Sequence, residues 1–474
     1  MDTDTSSELE GRPSSSQPEP QDESASYRDV LYKNFNKDLG SSHMFPERDH
    51  RLIYRVPERF CRGNEESYRP RVVSIGPYHY KSLRSASIKL YYALSFTERY
   101  MSTSTSPTGF MFVEVLEELA GKWAGKWVEK ARTYYSESVE LSNDDFALMM
   151  VVDGAFLLEL MLRSRFPKFR STKVADPIFH RTRILVDVCR DILLIENQLP
   201  WFVLDKLYRK LVLPHPPPDE KEVNLERLAH DFFKAYLVDN NNIGNRIPAT
   251  TTDGYLFLDK DTKDHLAALV RWSFYSPSEI ISSPISDGDL NITVELIPPS
   301  VTALHEAGVR FEKLIPTSFG LEIKFDRGSL KIPYLDYRTG THLLNLMVFE
   351  ENSDFPPGGN YVSQYMFFMG CMIRTSKDVN IPIESGIISN TLGSNRDLVA
   401  LFDRISKMGW PHAYFSLCKQ LNDYRTSSPW HKWAATLKRD YLDTPWKTAS
   451  TIAAVILLIL TIMQTVCSFL SLKP

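Results

Sequence analysis

The chain has 474 residues, 43% of them hydrophobic and 24% charged, with a formal net charge of −4. That balance excludes a wholly disordered chain and allows a sizeable buried core. Residues 1–26 hold seven acids against Arg12, a balance of −6 that leaves the remainder at +2, so no global positive field draws in nucleic acid, and none is expected as a partner.

In chain order, residues 1–26 read as a disordered acidic tail rich in Ser and Pro. Residues 27–213 form the first helical part of the body. It opens with two short extended stretches, Ile53-Tyr54-Arg55-Val56-Pro57 and Arg71-Val72-Val73-Ser74-Ile75, the second ended by a Gly76-Pro77 turn that leads into Tyr78 and His79. Helical spacing follows at Phe112, Val115, Leu116 and Leu119, and the run from Met149 to Met161 is apolar nearly all round, as a central buried helix requires. Leu185, Val188, Ile192 and Ile195 line one face of a further helix, which Pro200 is expected to interrupt. Leu213-Pro214-His215-Pro216-Pro217-Pro218 cannot be helical and marks a soft boundary to a second part, 214–443. Within that part, Leu321–Asp326 and Ser329–Pro333 alternate around Arg327-Gly328 as a β-hairpin, and helical patterns return at 341–351, 362–375, 395–406 and 411–424. The expected fold is mainly α: a large helical body with a small β-hairpin and short strands, plus one C-terminal transmembrane helix.

Residues 444–474 carry that anchor. Ala449–Leu472 holds no charge and, at 1.5 Å per residue, spans about 36 Å, enough for a 30 Å hydrocarbon core. Trp446 stands just before the apolar run, where an indole prefers the membrane interface. No apolar leader opens the chain, and Lys432, Lys438, Arg439 and Lys447 precede the anchor, so the expected topology is single-pass with a cytosolic body and an unglycosylated Asn291-Ile292-Thr293 sequon.

Motifs for chemistry are sparse. Cys61, Cys189, Cys371, Cys418 and Cys467 show no paired spacing for a disulfide framework or zinc site, and no phosphate-binding glycine loop, nucleophile elbow or dinucleotide fingerprint occurs. His305-Glu306 begins like a zinc-protease helix, but Val309 stands where the second histidine is needed. No cofactor, metal ligand or catalytic residue is therefore assigned. Asp187, Asp191 and Glu196, with His79 or His305, form the one set from which an enzyme of unfamiliar type could be built. Acids flanking a helix more often solvate it or cap a neighbour, and Asn197 and Gln198 suit hydrogen bonds to backbone freed by Pro200.

Taken in order, seven segments resemble one family, the plant-specific membrane proteins catalogued as domain of unknown function 247: Ile53–Pro57, Val73–His79, Met150–Leu158, Asp191–Leu204, Pro298–Phe311, Gly386–Ser394 and Tyr441–Gln464. After His79 the family usually continues with a Gly and a Met-Glu pair, where this chain reads Tyr80-Lys81-Ser82 and Ser85-Ala86-Ser87. The resemblance implies a plant source, a mostly helical body with a C-terminal membrane helix, and no established catalytic residue or cofactor. Some grass members resemble recognition determinants of pollen self-incompatibility, which opens cell-surface or signalling recognition as a possibility at the family level and shows nothing of this member. The function expected is a membrane-anchored interaction, recognition or signalling component with the lipid bilayer and a protein as partners. Gly76, Pro77, Tyr78, His79, Glu196, Asn197, Gln198 and Pro200 are its candidate interaction or structural residues.

Overall fold

A computed structural model describes residues 53–62, 65–80, 86–101, 125–170, 175–215, 224–237, 264–273, 297–314, 321–334, 337–353, 355, 359–389, 394–407, 409, 412–427 and 445–471. The acidic tail, the Phe112–Leu119 helix, the Asn291 sequon and the basic residues Lys432, Lys438 and Arg439 lie outside them.

The described residues are mostly helical. In chain order the helices are α1 (Glu58–Cys61), α2 (Ala86–Met101), α3 (Lys126–Thr133), α4 (Asn143–Arg165), α5 (Thr182–Asp191), α6 (Trp201–Leu207), α7 (Leu225–Leu237), α8 (Leu266–Ser273) and α9 (Val301–Glu306). After a small sheet come α10 (Tyr337–Glu351), α11 (Tyr361–Met372), α12 (Ser376–Glu384), α13 (Asn395–Ser406), α14 (Phe415–Ser427) and α15 (Pro445–Ser471).

Helix α4 organises the first half. Ser142 caps it by accepting the Asp145 N–H at 3.1 Å. Asp144 and Asp145 in its first turn and Arg163 and Arg165 in its last complement the helix dipole. As its composition requires, it is buried on nearly every side, packed by α2, α3, α6 and α7. Gly154 admits α6 at close range, because a Cβ there would stand 2.4 Å from Leu207 Cδ1. Charged side chains inside this layer are paired: Glu159 meets Arg99 at 2.7 Å and Arg163 at 2.8 Å, and Arg163 reaches Asp176 at 2.7 Å.

In the second half α10 packs on α11, α11 on α13, and α9 on α12 and α14. Thr375 and Asp378 close a reciprocal capping box at the start of α12, and Asp378 also accepts the Thr302 N–H of α9 at 2.8 Å, tying two helix starts together. One contiguous apolar cluster includes residues before and after Leu213, and α7 packs on both α4 and α5.

The hairpin forms as its alternation predicts. Strand β2 (Lys324–Asp326) pairs antiparallel with β3 (Ser329–Pro333) around Arg327 and Gly328, both at positive φ. A further strand, β1 (Arg310–Leu314), runs parallel to β3 with Arg310 opposite Ser329, giving the order β1-β3-β2. The extended stretches behave differently from strands. Ile53 makes a single parallel bridge to Tyr135, and residues 71–76 join no ladder.

Helix α15 stands apart chemically. Nearly all the large apolar side chains exposed among the described residues belong to it, Ile452, Leu457, Ile459 and Met463 among them, and none of Thr448–Ser468 is buried against the body. It is long and apolar enough to cross a membrane.

Candidate functional site

The two central motif segments meet. Residues 71–76 have neither helix nor strand to satisfy their backbone, and side chains from elsewhere in the chain, most of them more than seventy residues away, do so instead. Asp191 Oδ2 accepts the N–H groups of Arg71 (2.9 Å), Val72 (2.6 Å) and Val73 (3.1 Å). Asn197 Oδ1 accepts that of Ile75 at 2.6 Å, and Asp153 Oδ2 that of Gly76 at 2.9 Å. On the acceptor side, Asn197 Nδ2 donates to Val73 O at 3.0 Å and Lys89 Nζ to Ser74 O at 2.8 Å. The segment is thus gripped by its main chain, as a central strand would be, while Val73 and Ile75 drop into the core.

The same residues finish α5. The helix ends at Asp191, nine residues before the proline expected to stop it, and Ile192 and Ile195 lie in turns beyond it. Asn197 Nδ2 donates to Asp191 O at 2.8 Å, and Gln198 Nε2 to Ile192 O at 2.9 Å and Leu194 O at 2.7 Å. The two amides therefore serve carbonyls left over at the end of α5 rather than backbone freed by Pro200. Pro200 is instead the residue before α6, whose first N–H, Trp201, donates to Asp264 O at 2.8 Å. Gln198 Oε1 accepts the Ala267 N–H at 3.1 Å. Asn345 on α10 joins the same region, accepting the Ile195 N–H at 3.1 Å and donating to Ser67 O at 3.0 Å.

Charges inside this grip are compensated. Asp191 is fully buried beside the Arg190 guanidinium at 2.9 Å, and Arg190 also donates to the carbonyls of Arg69 and Glu66. Burial pushes the Asp191 carboxyl above its ordinary range, against the opposing pull of its N–H donors and Arg190. Asp153, also fully buried, lies 2.6 Å from Lys89 Nζ, and burial raises its pKa too.

At Gly76 the chain turns with φ of 68°, and a Cβ would stand 2.5 Å from Gln198 O, so both conformation and space exclude a side chain. Gly76→Ala is therefore expected to lower stability by about 2 kcal/mol, read as a shift in the urea midpoint of the full-length protein in mild detergent. An unchanged midpoint would mean that the segment is not held against Gln198.

Beyond the turn the site reaches the surface. His79 Nε2 stands 3.0 Å from Glu196 Oε2, as does Arg55 Nη1, and the other Glu196 oxygen accepts the Val56 N–H at 2.7 Å. Burial opposes ionisation of Glu196, but these partners outweigh it and hold the carboxyl below its usual range. The Arg55 guanidinium lies 4.3 Å above the Tyr78 ring, which meets Tyr135 edge-on at 5.5 Å. Arg55, Pro77, Tyr78, Tyr80 and Glu137 line an open cleft of about 240 Å³ here.

Of the acids and histidines considered for acid/base chemistry, His79 and Glu196 come together. Asp191 is committed to the 71–73 backbone, Asp187 lies 3.4 Å from Arg71, and exposed His305 belongs to α9, packed on α12 and α14. Among the described residues no three His, Cys, Asp or Glu side chains are placed to hold a metal ion. Sequence reading missed the roles of Asp153, Lys89 and Arg55. The signal for Asp153 was present: an acid within the apolar run Met149–Met161, which holds Asp153 and Glu159, needs a buried partner.

A mainly helical body with a three-stranded sheet, a main-chain grip between two motif segments and an exposed apolar terminal helix define this class of protein. The chain belongs to a family of plant proteins of unknown function, DUF247, whose profile matches residues 53–460. It is similar to a UPF0481 protein of Arabidopsis thaliana, 28% identical over 446 residues that cover 88% of this chain and 86% of the relative. A second Arabidopsis thaliana protein of the UPF0481 group is 23% identical, with 87% and 89% covered. No solved structure matches.

Proposed function

We propose that this protein is a membrane-anchored interaction protein: α15 crosses a bilayer, and the body, on the cytosolic side, presents its motif surface to a protein partner. The observation that carries the reading is the contrast between a body that buries its apolar side chains and a terminal helix, Thr448–Ser468, that buries none. The cleft beside Tyr78 and Tyr80 supports a contact surface there, since exposed Tyr80 and Glu137 and half-buried Tyr78 and Arg55 line it next to a backbone held by Asn197 and Asp153.

The test is proximity labelling in plant cells with the intact chain and with one lacking residues 445–474. The intact chain is expected to mark a defined set of membrane-proximal proteins that the shortened one loses. Identical neighbour lists would reject the reading.

A further inference from the structure

The polar side chains of α15 divide into two kinds. Thr461, Thr465 and Ser468 each return their hydroxyl to the carbonyl four residues earlier, at 2.8, 2.7 and 2.8 Å. Hydroxyls close locally in this way and need nothing from outside the helix. Gln464 does not. Its carboxamide carries two N–H donors and an acceptor oxygen, and among the described residues it has no partner. Gln464 lies about 9 Å along the axis from Leu458, the middle of the apolar window Thr448–Ser468. That is inside a hydrocarbon half-thickness of about 15 Å. An amide left unpaired in that medium is strongly unfavourable, so Gln464 calls for a partner on another helix.

Its position says which face receives that partner. Ser450, Ala454, Leu457, Thr461, Gln464 and Ser468 follow one another in alternating steps of four and three, placing them on one side of α15, and all but Leu457 are small or polar. Ile452, Val455, Ile456, Ile459, Met463 and Val466 take the opposite side. A repeat averaging 3.5 residues is the spacing of a left-handed two-helix seam, and small residues let the two backbones approach.

We propose that α15 pairs in parallel with α15 of a second copy along this seam, with the two Gln464 carboxamides hydrogen-bonded to each other. The second copy is the occupant that the chemistry selects. Copies inserted by one route share one orientation, which sets Gln464 opposite Gln464 at equal depth. A carboxamide, being donor and acceptor at once, complements itself across a two-fold axis. The inference rests on α15 spanning a bilayer.

The experiment uses the purified full-length chain in phosphatidylcholine vesicles at low protein density, half the copies carrying a donor fluorophore and half an acceptor, with no other protein present. Alkaline carbonate extraction of the same vesicles reports insertion separately. The wild-type chain is expected to resist extraction and to show energy transfer. Gln464→Leu, more apolar and so inserted at least as well, is expected to associate roughly tenfold more weakly, while Ile459→Ala on the opposite face leaves transfer unchanged. Extraction-resistant wild-type chain without transfer overturns the pairing, as does undiminished transfer in Gln464→Leu or an equal loss in Ile459→Ala. Chain released by carbonate overturns the anchor reading itself, and the pairing falls with it.

Discussion

Replacing Glu350 by alanine is expected to destabilise the body by about 3 to 5 kcal/mol, because it strands a buried charge. Glu350 on α10 and Arg271 on α8 are both wholly inaccessible to solvent and lie 2.8 Å apart. The Glu350 oxygens also accept the N–H groups of Val362 at 3.2 Å and Ser363 at 2.7 Å, so a carboxylate from one helix caps the first turn of the next. Arg271 is held between Phe355 and Tyr361, its guanidinium 3.7 and 4.5 Å from their ring centres, and it donates to Gly359 O. Burial raises the Glu350 pKa, and the Arg271 charge and the two N–H donors oppose that rise. Alanine removes the carboxylate and leaves the guanidinium and two helix donors without it. Urea titration of the full-length protein in detergent, followed by tryptophan fluorescence, measures the loss. The double variant Arg271→Met, Glu350→Leu is expected to recover more than half of it, since neither charge then remains to be compensated. A loss below about 1 kcal/mol in Glu350→Ala would show that water reaches the pair.

Removing residues 445–474 is expected to move the protein completely from the carbonate-resistant pellet to the supernatant. A helix of 27 residues spans about 40 Å, and insertion of its apolar face is effectively irreversible. Trp446, 86% exposed at the start of α15, suits the headgroup boundary. The comparison needs only cell fractionation of the two forms. Intact protein recovered in the supernatant, or shortened protein still in the pellet, would refute membrane insertion by α15.

The features legible in the sequence are those set by nearby residues. Helix α15 follows from an uncharged run, α4 from apolar residues on all its faces, and the β2–β3 hairpin from alternation around Arg327-Gly328. Features set by distant residues were not legible. The end of α5 depends on Asn197 and Gln198 turning back to serve carbonyls at 191–194, so the apolar spacing ran on past the true terminus. The backbone at 71–76 looks like a strand because most of its N–H groups are hydrogen-bonded, but to Asp191, Asn197 and Asp153 rather than to a neighbouring strand. Strand β1 was hidden because its partner is β3, with β2 intervening in the chain. The motif residues were picked out individually, yet nothing in their spacing revealed that Gly76 and Gln198 would come within one side chain's width of each other.

The link from Ser67 to Asn345 also sets an order of events during synthesis. The two residues are 278 positions apart, and the Asp191 contacts to residues 71–73 close loops of 118 to 120. At translation speeds of roughly 5 to 20 residues per second, Ser67 waits on the order of 15 to 55 s for Asn345 to be made. During that interval the nascent chain carries an unfinished amino-terminal half whose apolar surface must be shielded. The apolar helix α15 emerges later still, so the body's long-range closure is under way before that helix leaves the ribosome.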